Sequence, residues 1–372
     1  MVTIKTIVAF ALALVCCMYA SAEPDSVAVA DSVCIGDSAA VLNAGKKKKG
    51  NFFVRLLKRA LEVDTNYIER DKYNITLKAQ SDWRYKQIRL SGTDDDGHHQ
   101  SLYFSPHSQV TIGPYASCSL LSLGWTIDIG SKLTTDNSNI YLSLYAPMIG
   151  IDYYYENDVN GYRIRKMRGF DEPTAEQSKN VPFPGLSSDM TYIHAYYIFN
   201  HRHFSYPAAY SHTTVQRRTS GGLILGYSYS RQLVEFDYDQ LPSQGSEAIN
   251  DALKVKEVRY INHSLSLGYS FNWVIARNLL FNATASPSIG YNFTKGQKPT
   301  ADLLYRLRNI NFDFVGKLAF VWNTNHMFAG GSFTAHTYAY RKSTFSCQNS
   351  LFSAQIYVGV NVWRKKAKIP QK

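Results

Sequence analysis

Three groups of residues in this chain are of types and spacings that could do chemistry. His194, His201, His203 and His212 crowd around Ser205 and Ser211. A hydroxyl beside an imidazole base is what acyl transfer or lipid hydrolysis needs. No G-x-S-x-G turn exposes either hydroxyl. Neighbouring residues on a strand also face opposite ways, which separates many of these Ser and His pairs. Pro207, Gly221 and Gly222 are read instead as residues that shape turns and let strands bend. The second group is Asp313 and Lys317, four residues apart, with Asn311 two before and His336 on the next strand. These four form a candidate inward-facing polar network. Its charge pair either sets selectivity in a lumen or is a structural ion pair in a filled interior. The third group is Asp94-Asp95-Asp96-Gly97-His98-His99. It lacks the alternating oxygen ligands and later Glu of a calcium loop, so a solvated turn is expected. No catalytic residue, cofactor or metal site is assigned.

The elements that must carry these residues are strands. From Ile310 every second residue is Ile310, Phe312, Phe314, Gly316, Leu318, Phe320 and Trp322, with Asn311, Asp313 and Lys317 between them. Successive strand side chains point to opposite faces, so one face is aromatic and oily and the other is mixed. The same alternation runs through Leu223 to Ser230, Ser264 to Trp273, Leu279 to Asn292, Met327 to Tyr338 and Phe352 to Val362. In the middle segments the second face is Ser, Gly, Asn and Thr, small and uncharged. A soluble sandwich buries aliphatics and charges its outside. A membrane barrel turns the oily face to lipid and the polar face inward. Each oily run covers about 9–11 residues, the length a tilted strand needs to cross hydrocarbon. The 27 Tyr and 19 Phe supply interfacial girdles.

Short turns are expected at Ala276 to Asn278 and Asn323 to Asn325, and long ones near 234–260, 294–307 and 342–349. Residues 156–189 are read as a loop with a hairpin through Tyr162 to Met167. That yields a closed antiparallel transmembrane β-barrel over 70–363, of about 12 strands.

Upstream, Lys5, an apolar run from Ile7 and Ala20-Ser21-Ala22 form a secretory signal peptide over 1–22. Residues 23–50 are a flexible leader ending in Lys46 to Lys49. Residues 51–64 spell a short basic amphipathic helix, with Phe53, Leu56, Leu57, Ala60 and Leu61 on one face. It suits the periplasmic membrane surface, closure of the barrel's inner mouth or a periplasmic partner. Residues 364–372 are a basic tail. The net charge of +11 sits largely in these flanks, so a nucleic-acid reader is not expected and anionic lipid is the favoured partner. Cys34, Cys118 and Cys347 are too few and scattered for a disulfide framework, although one pair could close.

Phe204-Ser205-Tyr206-Pro207-Ala208-Ala209-Tyr210-Ser211, then Gln216-Arg217-Arg218-Thr219-Ser220-Gly221-Gly222, with Leu123-Gly124-Trp125, resembles an uncharacterised family of Bacteroidetes-type outer-membrane barrel proteins, labelled a domain of unknown function. The resemblance runs from about residue 50 to the end. It implies an outer-membrane location and barrel architecture, and brings no activity or functional residues. The reading is a bacterial outer-membrane barrel acting as a structural or binding barrel with extracellular loops. A narrow pore and a lipid-acting enzyme are the alternatives. Oligomeric state stays open.

Overall fold

The computed structural model describes residues 61–70, 72–106, 109–118, 121–124, 127–128, 138–158, 161–298, 301–341 and 345–364. The expected signal peptide and leader, the start of the expected helix and all of the expected basic tail except Arg364, which ends a strand, lie outside them. The last expected helical residues, Glu62 to Asp64, are not helical.

The chain is all-β, and its main sheet is antiparallel and curled. In order the strands are β1 (Ile68–Glu69), β2 (Tyr73–Thr93), β3 (His99–Pro106), β4 (Gln109–Cys118), β5 (Leu121–Gly124), β6 (Ile127–Asp128), β7 (Ser138–Tyr145), β8 (Ile149–Asp158) and β9 (Tyr162–Arg168). They continue as β10 (Leu186–Ile198), β11 (Val215–Gln216), β12 (Ser220–Phe236), β13 (Glu257–Ala276), β14 (Leu279–Lys298), β15 (Ala301–Asn323), β16 (Met327–Arg341) and β17 (Phe345–Arg364). Three short helices interrupt them: α1 (Glu172–Gln177), α2 (Pro207–Tyr210) and α3 (Ser243–Ala248). From β12 to β17 each strand pairs with the next, and β17 pairs along most of β2.

Strand β13 shows why the sheet curls with its polar side inward. Leu265, Leu267, Tyr269, Phe271 and Trp273 are exposed on the outer face. Asn262, Ser264, Ser266, Ser270 and Asn272 face inward and are between 0 and 8 % exposed. The buried side is the polar side, the reverse of a soluble sheet. Phe271 and Phe320 lie on the oily outer face, not in a dry interior.

The two short turns sit at one end, where Asn278 (φ 67°) and Asn325 (φ 74°) take the left-handed conformation that Asn tolerates. At the other end the strands run further than their oily faces do. Paired ladders reach Lys298↔Ala301 and Arg341↔Ser346, through stretches the sequence suggests are loops near 294–307 and 342–349. Beyond the apolar band a strand no longer needs oily residues on one face, so the alternation that reveals it fades. Tyr162 to Arg168 is likewise no hairpin of its own: as β9 it pairs with β3. Strand β2 is the branch point. Its far half, Ile88 to Thr93, pairs with β3, and its near half, Ile75 to Arg84, pairs with β4.

Residues fold into the interior at both ends. At the far end Ile88, Leu90, Leu102, Phe104, Ile164, Phe183, Phe236, Leu253 and neighbours form one buried apolar cluster, a cap built from strand ends, β9 and the loops around α1 and α3. Cys347 lies in it as a free thiol. At the short-turn end residues 199–219 fold inward as a plug. Large rings reach the inner wall by lying on glycines: a methyl on Gly359 would sit 2.2 Å from Phe328 Cζ and 2.6 Å from the Leu77 carbonyl. Gly359→Val is therefore expected to destabilise by about 1–3 kcal/mol, because neither the ring nor the backbone can retreat. A lower denaturant midpoint in lipid vesicles is the check.

Candidate functional site

The plug is built from short-range chemistry. Pro207 opens α2, and His212 ends the turn at φ 62°. Gln216 is its hub. Its Oε1 accepts from Ser205 N (2.8 Å) and Asn272 Nδ2 (3.0 Å), and its Nε2 donates to the carbonyls of His203 (2.7 Å), Arg218 (2.9 Å) and Tyr67 (3.3 Å). Asn side chains on the wall finish the stitching. Asn272 Nδ2 donates to Ser205 O at 2.8 Å, Asn323 Nδ2 to His212 O at 3.2 Å, and Tyr210 OH to Asn282 Oδ1 at 2.7 Å. From below, residues 62–70 strap the plug in place through the β1–β11 pair and the Arg217–Glu69, Arg202–Glu62 and His203–Asp64 contacts.

The Ser and His cluster of the sequence falls in this plug. Ser205 Oγ bonds Thr214 Oγ1 (2.7 Å) and accepts from Ala208 N; Ser211 Oγ bonds Thr213 Oγ1 and Pro207 O. His212 is clamped between the rings of Phe328 and Tyr357, at 4.6 and 4.4 Å between centroids. His203 leans on Tyr67, and His194 lies on β10, facing the interior. These hydroxyls and imidazoles are parts of a scaffold. Burial first, and the charge of Lys78 second, hold the His212 imidazole well below its ordinary range. A released loop binds protons near pH ~6.5, whereas the seated one resists them, so the seat weakens as pH falls through that value. Proteolysis of the plug should rise from about pH 7 to about pH 5 and stay flat in His212→Phe.

Between plug and cap lies a chamber of about 270 Å³. One arc of its wall is small and hydroxylated, with Ser228, Ser266, Thr284, Ser286 and Ser288. The strands flanking it, β8 and β10 on one side and β16 on the other, line the chamber with Tyr154, Tyr192, His194, Tyr196, His336 and Tyr338. Tyr206 of the plug forms part of its lining. Three charged side chains enter it: Asp152, Asp313 and Lys317.

Asp313, Lys317 and His336 thus meet in one chamber, and Asn311 beside them donates to Asp313 Oδ1 at 2.7 Å. Asp313 and Lys317 are engaged with different partners. The carboxylate accepts from Asn311, Asn262 and Ser264, while the Lys317 ammonium lies 5.7 and 5.4 Å from the ring centres of Tyr206 and Tyr210 in the plug. That is cation–π range, so Lys317 ties wall to plug. His336 Nδ1 meets Tyr338 OH at 2.7 Å.

Sequence reasoning missed Asp152 and the charged inner row of β2. Lys86 pairs with Glu156 at 3.4 Å, and Asp82 accepts from Gln355 and Gln80. All of them are inward members of period-two runs, which was the available signal. The acidic run 94–99 is a turn: Asp94 Oδ1 accepts from His98 N at 2.7 Å.

Among solved structures, the outer membrane protease OmpT from Escherichia coli is similar at 10 % identity, over 80 % of this chain and 100 % of that one, with TM-score 0.39. The translocator domain of the autotransporter NalP from Neisseria meningitidis gives 10 %, 83 %, 95 % and 0.29. Ail, the attachment invasion locus protein of Yersinia pestis, gives 7 %, 77 %, 99 % and 0.20. Likenesses this weak decide nothing about activity. No curated protein sequence matches the chain. The family described as a domain of unknown function (DUF4421) matches residues 62–361, and the chain belongs to it.

Proposed function

We propose that the protein is a closed, twelve-strand transmembrane barrel of a bacterial outer membrane, exported by its signal peptide, and that it works as a structural or binding barrel rather than an open pore. The observation that carries this reading is the oily belt. Phe312, Ile356, Leu265 and Ile310 are 71, 68, 64 and 62 % exposed, and exposed apolar side chains on the neighbouring strands from β8 through β17 and β2 to β4 extend the same surface. A soluble monomer rarely shows such a continuous apolar patch, and hydrocarbon is the environment that removes its cost. Closure is supported by the partners of β2, which has β17 on one side and β4 on the other, with β4 joined through β5 to β7. Lipid demands this, because an open edge would leave backbone groups unpaired in hydrocarbon. The short-turn end is then periplasmic and the cap extracellular.

Stoppers at both ends argue against a permanently open pore. The scaffold roles of Ser205 and Ser211 lend no support to a lipid-acting enzyme. We assign the basic stretch 46–61 to the periplasmic membrane surface or a periplasmic partner. The test is twofold. The protein should resist salt extraction, yield to detergent and change gel mobility on heating. In planar bilayers it should give no stable current steps. Release by salt alone would overturn the membrane reading, and steady conductance the stoppered one.

A further inference from the structure

The Asp313 carboxylate is held by two amides and a hydroxyl. Asn311 Nδ2 donates to Oδ1 at 2.7 Å; Asn262 Nδ2 at 3.0 Å and Ser264 Oγ at 3.2 Å donate to Oδ2. An amide that gives its NH₂ to a carboxylate must turn its oxygen elsewhere. Both oxygens turn to the same place. A methyl on Gly290 would lie 2.4 Å from Asn262 Oδ1, 2.4 Å from Asn311 Oδ1 and 2.7 Å from Ser264 Oγ. The register explains the convergence: Ser264, Gly290 and Asn311 form one row across β13, β14 and β15, and Asn262 lies opposite Asn292 in the next.

The two amide oxygens lack what they need, whereas Ser264 Oγ already accepts from Asn262 Nδ2 at 2.7 Å and offers its remaining lone pair. Asn262 and Asn311 are 5 and 6 % exposed, and neither amide oxygen has a hydrogen-bond partner. The Asn292 oxygen is in the same state. Buried acceptors left so are rare and costly. Flipping an amide would not help, because its oxygen would then face the carboxylate.

We infer that the space beyond Gly290 holds a hard, oxygen-seeking cation. The ligands are the oxygens of Asn262 and Asn311 and the Ser264 hydroxyl oxygen, with Asp313 supplying the compensating charge one bond behind. Neutral amide oxygens on a rigid wall suit ions that take oxygen at roughly 2.3–2.6 Å, the range of calcium and of similarly sized cations. One carboxylate balances one positive charge, so a sodium-sized monovalent ion fits better than a divalent one, which would leave excess charge buried. His, Cys, Asp and Glu side chains nowhere gather in threes as a metal site among the described residues, and this cage differs in being built on amides. The glycine follows from the same geometry: any side chain there would fill the cage.

The test uses the intact protein in detergent. Its unfolding midpoint is measured in sodium chloride, calcium chloride and N-methylglucamine chloride at constant ionic strength. Sodium should raise the midpoint by several degrees over N-methylglucamine. If calcium alone does so, the cage holds and its ion is divalent. Equal midpoints in all three salts overturn the inference. Asn311→Leu should abolish the salt-specific shift whatever its own stability. Should that variant fail to fold, a thallium(I)-soaked crystal of the unaltered protein decides. An anomalous peak among Asn262, Asn311 and Ser264 supports the site, and an ordered water with no peak overturns it.

Discussion

Leu267→Arg is expected to cost about 2–4 kcal/mol of folding free energy and most of the assembled protein. Leu267 sits midway along the oily face of β13, is 58 % exposed, and is paired across to Leu225, another exposed leucine on β12. If the outer face meets water, an arginine there is an ordinary surface substitution worth within about 0.5 kcal/mol. If it meets hydrocarbon near the midplane, the guanidinium must be desolvated or drag water and headgroups inward. The two outcomes differ by at least about a factor of ten in the folding equilibrium, since 1.4 kcal/mol is one decade. Ser266→Ala, one residue away and pointing inward, provides the control. It removes one hydroxyl from a wall rich in them and should cost no more than about 1 kcal/mol. Urea titration of folding into lipid vesicles, read by gel mobility, measures both. An unchanged Leu267→Arg would mean that the belt is covered by something other than lipid.

How much of this was legible beforehand follows from the same chemistry. Period-two alternation of Phe, Leu and Trp against Ser, Asn and Gly marked β12 to β17 clearly, because the lipid proposed to cover one side would force a uniform face. It also placed Asp313, Lys317, Asn311 and His336 on one inward surface. It failed beyond the oily band, where no such constraint acts on the strand. The far halves of β14 and β15 carry Lys295 and Arg306, read as loop. Strand β2 hid Lys78, Asp82 and Lys86 on its inner row, since charges there break the oily-polar rhythm. The plug could not be read either. Its sequence marks turns, but only the fold brings Gln216 to Asn272 and Asn323 to His212. Such pairs are separated by 56 and 111 residues, and nothing in local spacing encodes them.

Gln216→Leu should open the chamber from the plug end. The variant removes an acceptor used by Ser205 N and Asn272 Nδ2 and a donor used by three carbonyls, while leaving their buried positions unchanged. Each group orphaned this way costs about 1–3 kcal/mol, and even a combined loss of only about 3 kcal/mol raises the open population roughly a hundredfold. The reporter is a cysteine at Ser286, on the hydroxylated wall of the chamber, in a background lacking the native thiols. A small thiol reagent should label Ser286→Cys about a hundred times faster when Gln216→Leu is added. Phe104→Ala, which hollows the cap, supplies the opposite arm: Phe104 is fully buried between Phe183 and Phe236, at 5.1 and 5.7 Å between rings. Its loss costs about 3–5 kcal/mol locally. If the plug is the door, Gln216→Leu accelerates labelling and Phe104→Ala does so far less. If the cap is the door, the order reverses. If neither variant changes the rate, then reagent reaches Ser286 through the wall, and the chamber is not sealed by the elements that bound it.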